Sequence, residues 1–366
     1  MIPLFDYQRQ WRERQSEIMD TIQRVLNSGQ LILGAEGRAF EGAMANLIGM
    51  DHAVGVNSGT DALVLALRVL GVKPGDGVIT VPNTAVPTAA AIRLCGARPV
   101  FVDVEPDTLL MDVEQLKKLN TQGCKAIIPV HLHGLMVDMD PLLAFARARG
   151  LAVIEDCAQA LGSFYKGRPA GSFGAISCFS FYPTKNLGAY GDGGLCTTRD
   201  AGLAKALRQQ RMYGFDETPI AQVDGLNSRL DELQAGILNL KLKYFDADMQ
   251  KRQSLAQRYL EKLDGRRLQL PTRPAGRTHS WHIFAVRSPF RQELKEKLAA
   301  RDIITGVHYA TPLHRMPAYQ DLGYEAGDLP VAEKAAAELL SLPLFPEFTH
   351  EEQDKVIDTL HEALPR

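Results

Sequence analysis

From residue 53 onward the chain alternates short β-branched runs with longer stretches of helical periodicity, and that rhythm commits it to a parallel sheet covered by helices on both faces. The expected strands are Ala53 to Val56, Gly77 to Val81, Pro99 to Val104, Ala126 to Val130, Ala152 to Glu155, Ala175 to Ser180 and Gly194 to Thr198. Helices are expected between several of them, at Asp61 to Leu70, Val86 to Cys95 and Met139 to Arg149, after an amphipathic helix around Trp11 to Asn27. The result is a doubly wound, mostly parallel α/β sheet. From about Ser228 the rhythm changes to one long helix, Leu230 to Gln257, a strand at Ser280 to Arg287, a helix at Arg291 to Arg301 and a closing helix after Glu351. The Pro-, Gly- and Arg-rich stretch Asp264 to His279 is expected to cross the surface between the two layers. At 366 residues the chain exceeds what one core usually organises. The expected division is a large domain over 1–240 and a smaller α+β domain over 241–366, on which the N-terminal segment packs.

Charge excludes some partners. With 41 basic against 43 acidic side chains there is no global electrostatic drive toward nucleic acid or an anionic membrane, so any anion site must be local. Five widely spaced cysteines, with no CxxC pair, read as reduced and mostly buried thiols. No run reaches the roughly 20 apolar residues of a membrane helix, and the start of the chain lacks a secretory core, so the expected location is cytoplasmic.

Three segments carry chemistry. Val56-Asn57-Ser58-Gly59-Thr60-Asp61 closes a strand and opens a helix, where free N–H groups and the Ser58 and Thr60 hydroxyls favour an anion such as phosphate. Taken alone, the same residues read first as a plain helix cap. Val153 to Ala160 ends an apolar strand in Glu155 and Asp156, at the sheet edge where open α/β folds place ligands. Adjacent strand residues point to opposite sides, so only one of these carboxylates can face the site. In Ser177 to Asn186, followed by Gly191-Asp192-Gly193-Gly194, Lys185 lies in a turn after a buried strand, among aromatics, where desolvation makes a nucleophilic amine.

In combination, from Ser28-Gly29-Gln30 through Leu342-Pro343-Leu344-Phe345-Pro346, these segments resemble the DegT/DnrJ/EryC1/StrS sugar aminotransferases, enzymes of fold type I that use pyridoxal 5'-phosphate (PLP). The resemblance implies that Lys185 bonds the cofactor aldehyde, that Asp156 pairs with its ring nitrogen and that Gln159 lies near its phenolic oxygen. It implies that Ser58, Gly59, Thr60 and Ser180 hold the phosphate. Thr84 lines the pocket beside Ala85, and Asn227, within Gly225 to Ala235, reaches the phosphate of a neighbouring subunit, hence a homodimer with shared sites. Read by itself, Asn227 is the cap of the long helix. His308 and Tyr309, in Val307 to His314, together with Tyr182 and Asn186, are implied to face the substrate. That substrate is a nucleotide-linked keto sugar, expected to be a dTDP- or UDP-linked 6-deoxyhexose, with L-glutamate as amino donor.

Two positions depart from the family pattern. Ala85 stands where many relatives place an aromatic that stacks on the cofactor, and Asp192 stands where glutamate is usual. Two rival readings follow from the same fold. A dehydratase using the pyridoxamine form would replace Lys185 with histidine, and a non-catalytic regulatory or assembly protein would not need Lys185, Asp156 and Gln159 intact.

Overall fold

The computed structural model describes residues 1–364. Its elements run α1 (Tyr7–Ser28), α2 (Ala35–Ile48), β1 (His52–Val56), α3 (Gly59–Val69), β2 (Gly77–Thr80), α4 (Val86–Leu94), β3 (Arg98–Phe101), α5 (Val113–Leu116) and β4 (Cys124–Ile127). They continue through α6 (Met139–Ala148), β5 (Ala152–Asp156), β6 (Phe164–Tyr165), β7 (Arg168–Pro169), β8 (Ile176–Ser180), β9 (Gly194–Thr198), α7 (Ala201–Gln210), α8 (Glu232–Leu242) and α9 (Phe245–Lys262). Last come β10 (Arg277–Thr278), β11 (Phe284–Arg287), α10 (Arg291–Ala299), α11 (Pro330–Glu338), β12 (Leu339–Leu342) and α12 (His350–Ala363).

Seven strands form the central sheet in the order β1-β9-β8-β5-β4-β2-β3. All but β9 point the same way; β9 runs antiparallel to both neighbours, with Cys178 opposite Cys196 and Val54 opposite Cys196 on its other side. The expected mostly parallel α/β sheet is therefore the one that forms. Apolar residues line both faces, Val54, Val78, Ala126, Ile154 and Ile176 on one and Ile79, Ile127, Val153, Phe179 and Leu195 on the other, and helices such as α3, whose Leu63 to Leu67 are all buried, pack on the first. A second core gathers Ile2 with residues from α9 onward, among them Tyr259, Trp281, Phe284, Leu340 and Leu360. All five cysteines are free thiols, and only Cys124 is not buried.

Two expectations need correction. The long helix breaks at Lys243 and Tyr244 into α8 and α9, and its first residue is Glu232, capped in position by Asp231, so Asn227 is not its cap. The expected strand from Ser280 begins only at Phe284, because Ser280 and Ile283 donate to the backbone of Gly134 and His133 and Trp281 has a positive φ of 51°. That detour brings the second layer onto the sheet edge described next.

Candidate active site

The carboxyl ends of β1, β2, β4, β5 and β8 converge on one edge of the sheet, and each leads into a polar loop. After β1, the Ser58 Oγ caps α3 by accepting from Asp61 N at 3.1 Å. The amides of Gly59 and Thr60 are left without helical acceptors, at the positive end of the helix dipole. Across from them lies Ser180: a Cβ built on Gly59 would stand 2.7 Å from the Ser180 Cβ, so the approach is open only to glycine. Ser228 bridges into the same turn, donating to Asp61 Oδ2 at 2.6 Å and accepting from Asn57 N at 3.1 Å, and the exposed Asn227 precedes it. Backbone amides, a hydroxyl and a glycine-lined approach together form a cradle able to take an anion such as phosphate.

Lys185 follows β8 in a turn closed by its own N–H donating to Tyr182 O at 2.8 Å. Burial drives its amine down to about 8, against the opposing charge of Asp156. Asp156 ends β5. Its Oδ2 accepts from Thr88 Oγ1 at 2.9 Å and its Oδ1 from Ala158 N at 3.2 Å. Burial raises the Asp156 carboxyl, while those two donors and Lys185 oppose the rise. Glu155, one residue earlier, faces away into a bed of donors, so only Asp156 serves the site.

The third wall carries Gln159, whose Oε1 accepts from His133 N at 2.6 Å and whose Nε2 donates to the Tyr309 hydroxyl at 3.0 Å. Burial and the charge of Asp156 push the Tyr309 phenol up to about 12, so it keeps its proton. His308 pairs through Nδ1 with Ser341 Oγ at 2.8 Å, and its carbonyl lies 2.9 Å from His133 Nε2. Both imidazoles are pushed down to about 4, by burial first and for His308 also by Lys185, so both are neutral near pH 7.

Among the other expected residues, Thr84 is buried and hydrogen-bonded to Thr88, and Ala85 occupies the N-cap position of α4 without a side-chain cap. Tyr182 is exposed. Asn186 Nδ2 donates to Ser280 O at 3.1 Å, which ties the lysine turn to the second layer and leaves Oδ1 buried with no partner. Thr88 and His133 were not expected here. The signal for His133 was a His-x-His pair just past a predicted strand; for Thr88 it was a threonine four residues beyond Thr84.

An amine of lowered pKa, a carboxylate beside it and an anion cradle one strand away suit a phosphorylated aldehyde cofactor with a basic ring nitrogen. Residues 12–361 match the model of the DegT/DnrJ/EryC1/StrS aminotransferase family. The chain belongs to that family. It is 44% identical over 367 residues, 99% of this chain and 98% of the relative, to a dTDP-3-amino-3,4,6-trideoxy-alpha-D-glucose transaminase of Micromonospora megalomicea subsp. nigra. It is 43% identical over 365 residues, 99% of this chain and 98% of the relative, to a UDP-N-acetyl-3-dehydro-alpha-D-glucosamine 3-aminotransferase of Acidithiobacillus ferrooxidans. Among solved structures it is similar to S. venezuelae DesV in complex with a ketimine intermediate, with a TM-score of 0.97, 42% identity and coverage of 100% of this chain and 99% of that one. It is also similar to ntda of Bacillus subtilis with bound cofactor PMP (pyridoxamine phosphate), with a TM-score of 0.90, 32% identity and coverage of 98% and 83%. Among the described residues no helix is long and apolar enough to cross a membrane.

Proposed function

We propose that this family member is a PLP-dependent aminotransferase that moves an amino group from L-glutamate to the C3 keto group of a dTDP- or UDP-linked hexose. The observation that carries the reading is the pairing of Lys185, an amine lowered to about 8, with the charge of Asp156 above a glycine-lined anion cradle. The names of two relatives, one dTDP-linked and one UDP-linked, both put the amino group at C3, which supports that carbon and leaves both nucleotides in play. The bound relative in the PMP form supports the cofactor.

When bound, the cofactor supplies the electron sink for the carbon acid chemistry. The protein's part is positioning and proton transfer. Gly59, Thr60, Ser58 and Ser180 would hold the phosphate, and Asp156 would keep the ring nitrogen protonated, a stabilisation felt most strongly in the transition state. Lys185 Nζ, once displaced by the amino donor, is the base that carries a proton from the donor's α-carbon, and in the second half-reaction the acid that returns one to the sugar. Gln159 would lie beside the phenolic oxygen of a bound cofactor, and neutral His308 with protonated Tyr309 would face the substrate. Asn227 is proposed to serve the site of a second subunit in a homodimer, on the strength of its exposure beside the cradle. The division into 1–240 and 241–366 is proposed from the second core, which draws nearly all of its residues from 255–364.

The test is a panel of dTDP- and UDP-linked 3-keto and 4-keto hexoses with glutamate. Amino-sugar formation from a 3-keto substrate by the wild type, and none by Lys185→Ala, supports the reading. Turnover by Lys185→Ala, or by no substrate in a protein that binds no PLP, defeats it.

A further inference from the structure

Thr88 makes the shortest hydrogen bond that Asp156 accepts from any side chain or amide here, Oγ1 to Oδ2 at 2.9 Å, and both residues are buried. A second hydroxyl, Thr84 Oγ1, lies 3.0 Å from Thr88 Oγ1. A threonine hydroxyl has one proton to give. When Asp156 is ionised that proton of Thr88 goes to the carboxylate, so the remaining bond has only one direction, Thr84 donating to Thr88. The chain Thr84 to Thr88 to Asp156 then runs head to tail, and each link polarises the next. Thr88 lies in the first turn of α4 and Thr84 in the bend just before its N-cap, Ala85, so the relay is set where the chain enters the helix.

The two donors also fix the geometry. Ala158 N fills one acceptor direction on Oδ1 and Thr88 one on Oδ2, which defines the plane of the carboxylate and leaves one direction open on each oxygen. Resting on the reading above, we propose that Thr88, with Thr84 donating to it, is a positioning residue that holds the ionised Asp156 carboxylate in the orientation that meets the cofactor's ring nitrogen. A carboxylate without that hydroxyl would keep only the longer bond from Ala158 and would turn on its χ2 axis. Lys185, His131, Tyr309, Cys157 and Cys178 are the other charged or titratable groups that bear on Asp156, and none of their side chains hydrogen-bonds to its carboxylate.

Thr88→Val keeps the shape and deletes the hydroxyl; Thr88→Ser keeps the hydroxyl. The first readout needs no cofactor: the carboxyl-carbon NMR titration of Asp156 in the PLP-free protein. Losing a donor to the charged form should move its midpoint up by about one pH unit in Thr88→Val, and Thr88→Ser should restore it. Thr84→Val should give a smaller shift in the same direction. The second readout is the pH titration of the visible absorbance of bound PLP, whose ring-protonated form should weaken about tenfold in Thr88→Val. An Asp156 midpoint unchanged in Thr88→Val, or one that Thr88→Ser does not restore, overturns the relay. If Thr88→Val does not fold, the same midpoint in Thr84→Val decides, and an unmoved value there overturns it. Failure of the wild type to bind PLP would sink the aminotransferase reading and leave the cofactor-free titration able to judge the relay.

Discussion

Glu155 and Asp156 are neighbours at the end of β5 yet project into opposite environments. Glu155 accepts from the amides of Gly171, Phe173 and Gly174, from Ser177 Oγ and from His131 Nε2, all between 2.7 and 3.1 Å. Asp156 has two donors and faces Lys185. His131 Nδ1 accepts from Val137 N at 3.2 Å, which puts the ring proton on Nε2 and so makes it a donor to Glu155. One carboxylate builds the turn after the strand and the other is left facing Lys185.

Glu155→Ala should therefore damage the fold. It leaves three amides, one of them buried and two part-buried, together with the Ser177 hydroxyl and His131, without their acceptor, and a loss of about 3–5 kcal/mol is expected by chemical denaturation. The pH dependence follows from the same contacts. Burial alone would raise the Glu155 carboxyl, but His131 and the amides of Gly174 and Phe173 outweigh it and hold it below its ordinary value of 4.5. A carboxyl depressed in the folded state adds stability above its unfolded value and loses it as pH falls through the folded one. The wild type should lose stability on acidification below pH 4.5, and Glu155→Gln, already weaker at pH 7, should lose less over that range. Equal acid slopes in the two proteins would refute the assignment.

Asp156→Asn should leave the fold and PLP uptake largely intact, because the amide still fills the space. Without a charge to keep the ring nitrogen protonated, proton transfer should slow by about 100-fold to 1,000-fold in single turnover with glutamate. Rates within about twofold of wild type would show that some other group protonates the ring.

PLP attachment should report the state of the Lys185 amine. The neutral amine is the nucleophile, so the rate of attachment should rise roughly tenfold per pH unit and level off above about 8. Since Asp156 raises the lysine's value against the effect of burial, the plateau in Asp156→Asn should begin at lower pH. Stopped-flow absorbance against pH measures both curves, and a plateau starting near the ordinary lysine value of 10.5 would contradict the burial of this amine.

The sheet was legible because each buried strand is a short apolar run between helical patterns, and Asp156 and Lys185 stood out as candidates because one ends such a strand and the other lies in the turn that follows one. What the sequence hid was tertiary in origin. Helix α2 has glycine at its N-cap and no side-chain cap; what holds its start is Glu232, far along the chain, which accepts from the amides of Gly34, Glu36 and Gly37. The break between α8 and α9 has neither proline nor glycine to announce it, so helical periodicity runs straight through Lys243 and Tyr244. Thr88 looks like any helix threonine until the fold sets it against Asp156, and the extended pattern from Ser280 yields to hydrogen bonds with a loop some 150 residues away.

Two glycines of the cradle should separate binding from folding. In Gly59→Ala the new methyl meets the Ser180 Cβ at 2.7 Å and its Cα and Oγ at 3.3 Å, with no backbone oxygen in the way, so the turn can yield slightly at the expense of the anion site. In Gly194→Ala the methyl would lie 2.2 Å from Ser58 O and 2.8 Å from Gly59 N, inside the β8–β9 ladder, where neither backbone can retreat. Overpacking of the first kind costs about 1–3 kcal/mol, and part of it should fall on the phosphate contacts. Gly59→Ala is expected to fold, with its melting temperature lowered by several degrees and its affinity for PLP weakened about tenfold or more, while pyridoxal lacking the phosphate reacts with Lys185 at the wild-type rate. Gly194→Ala is expected to give little folded protein. Equal loss of PLP and of pyridoxal reactivity in Gly59→Ala would mean that the turn after β1 supports Lys185 rather than the phosphate, and the cradle would have to be sought elsewhere on the sheet edge.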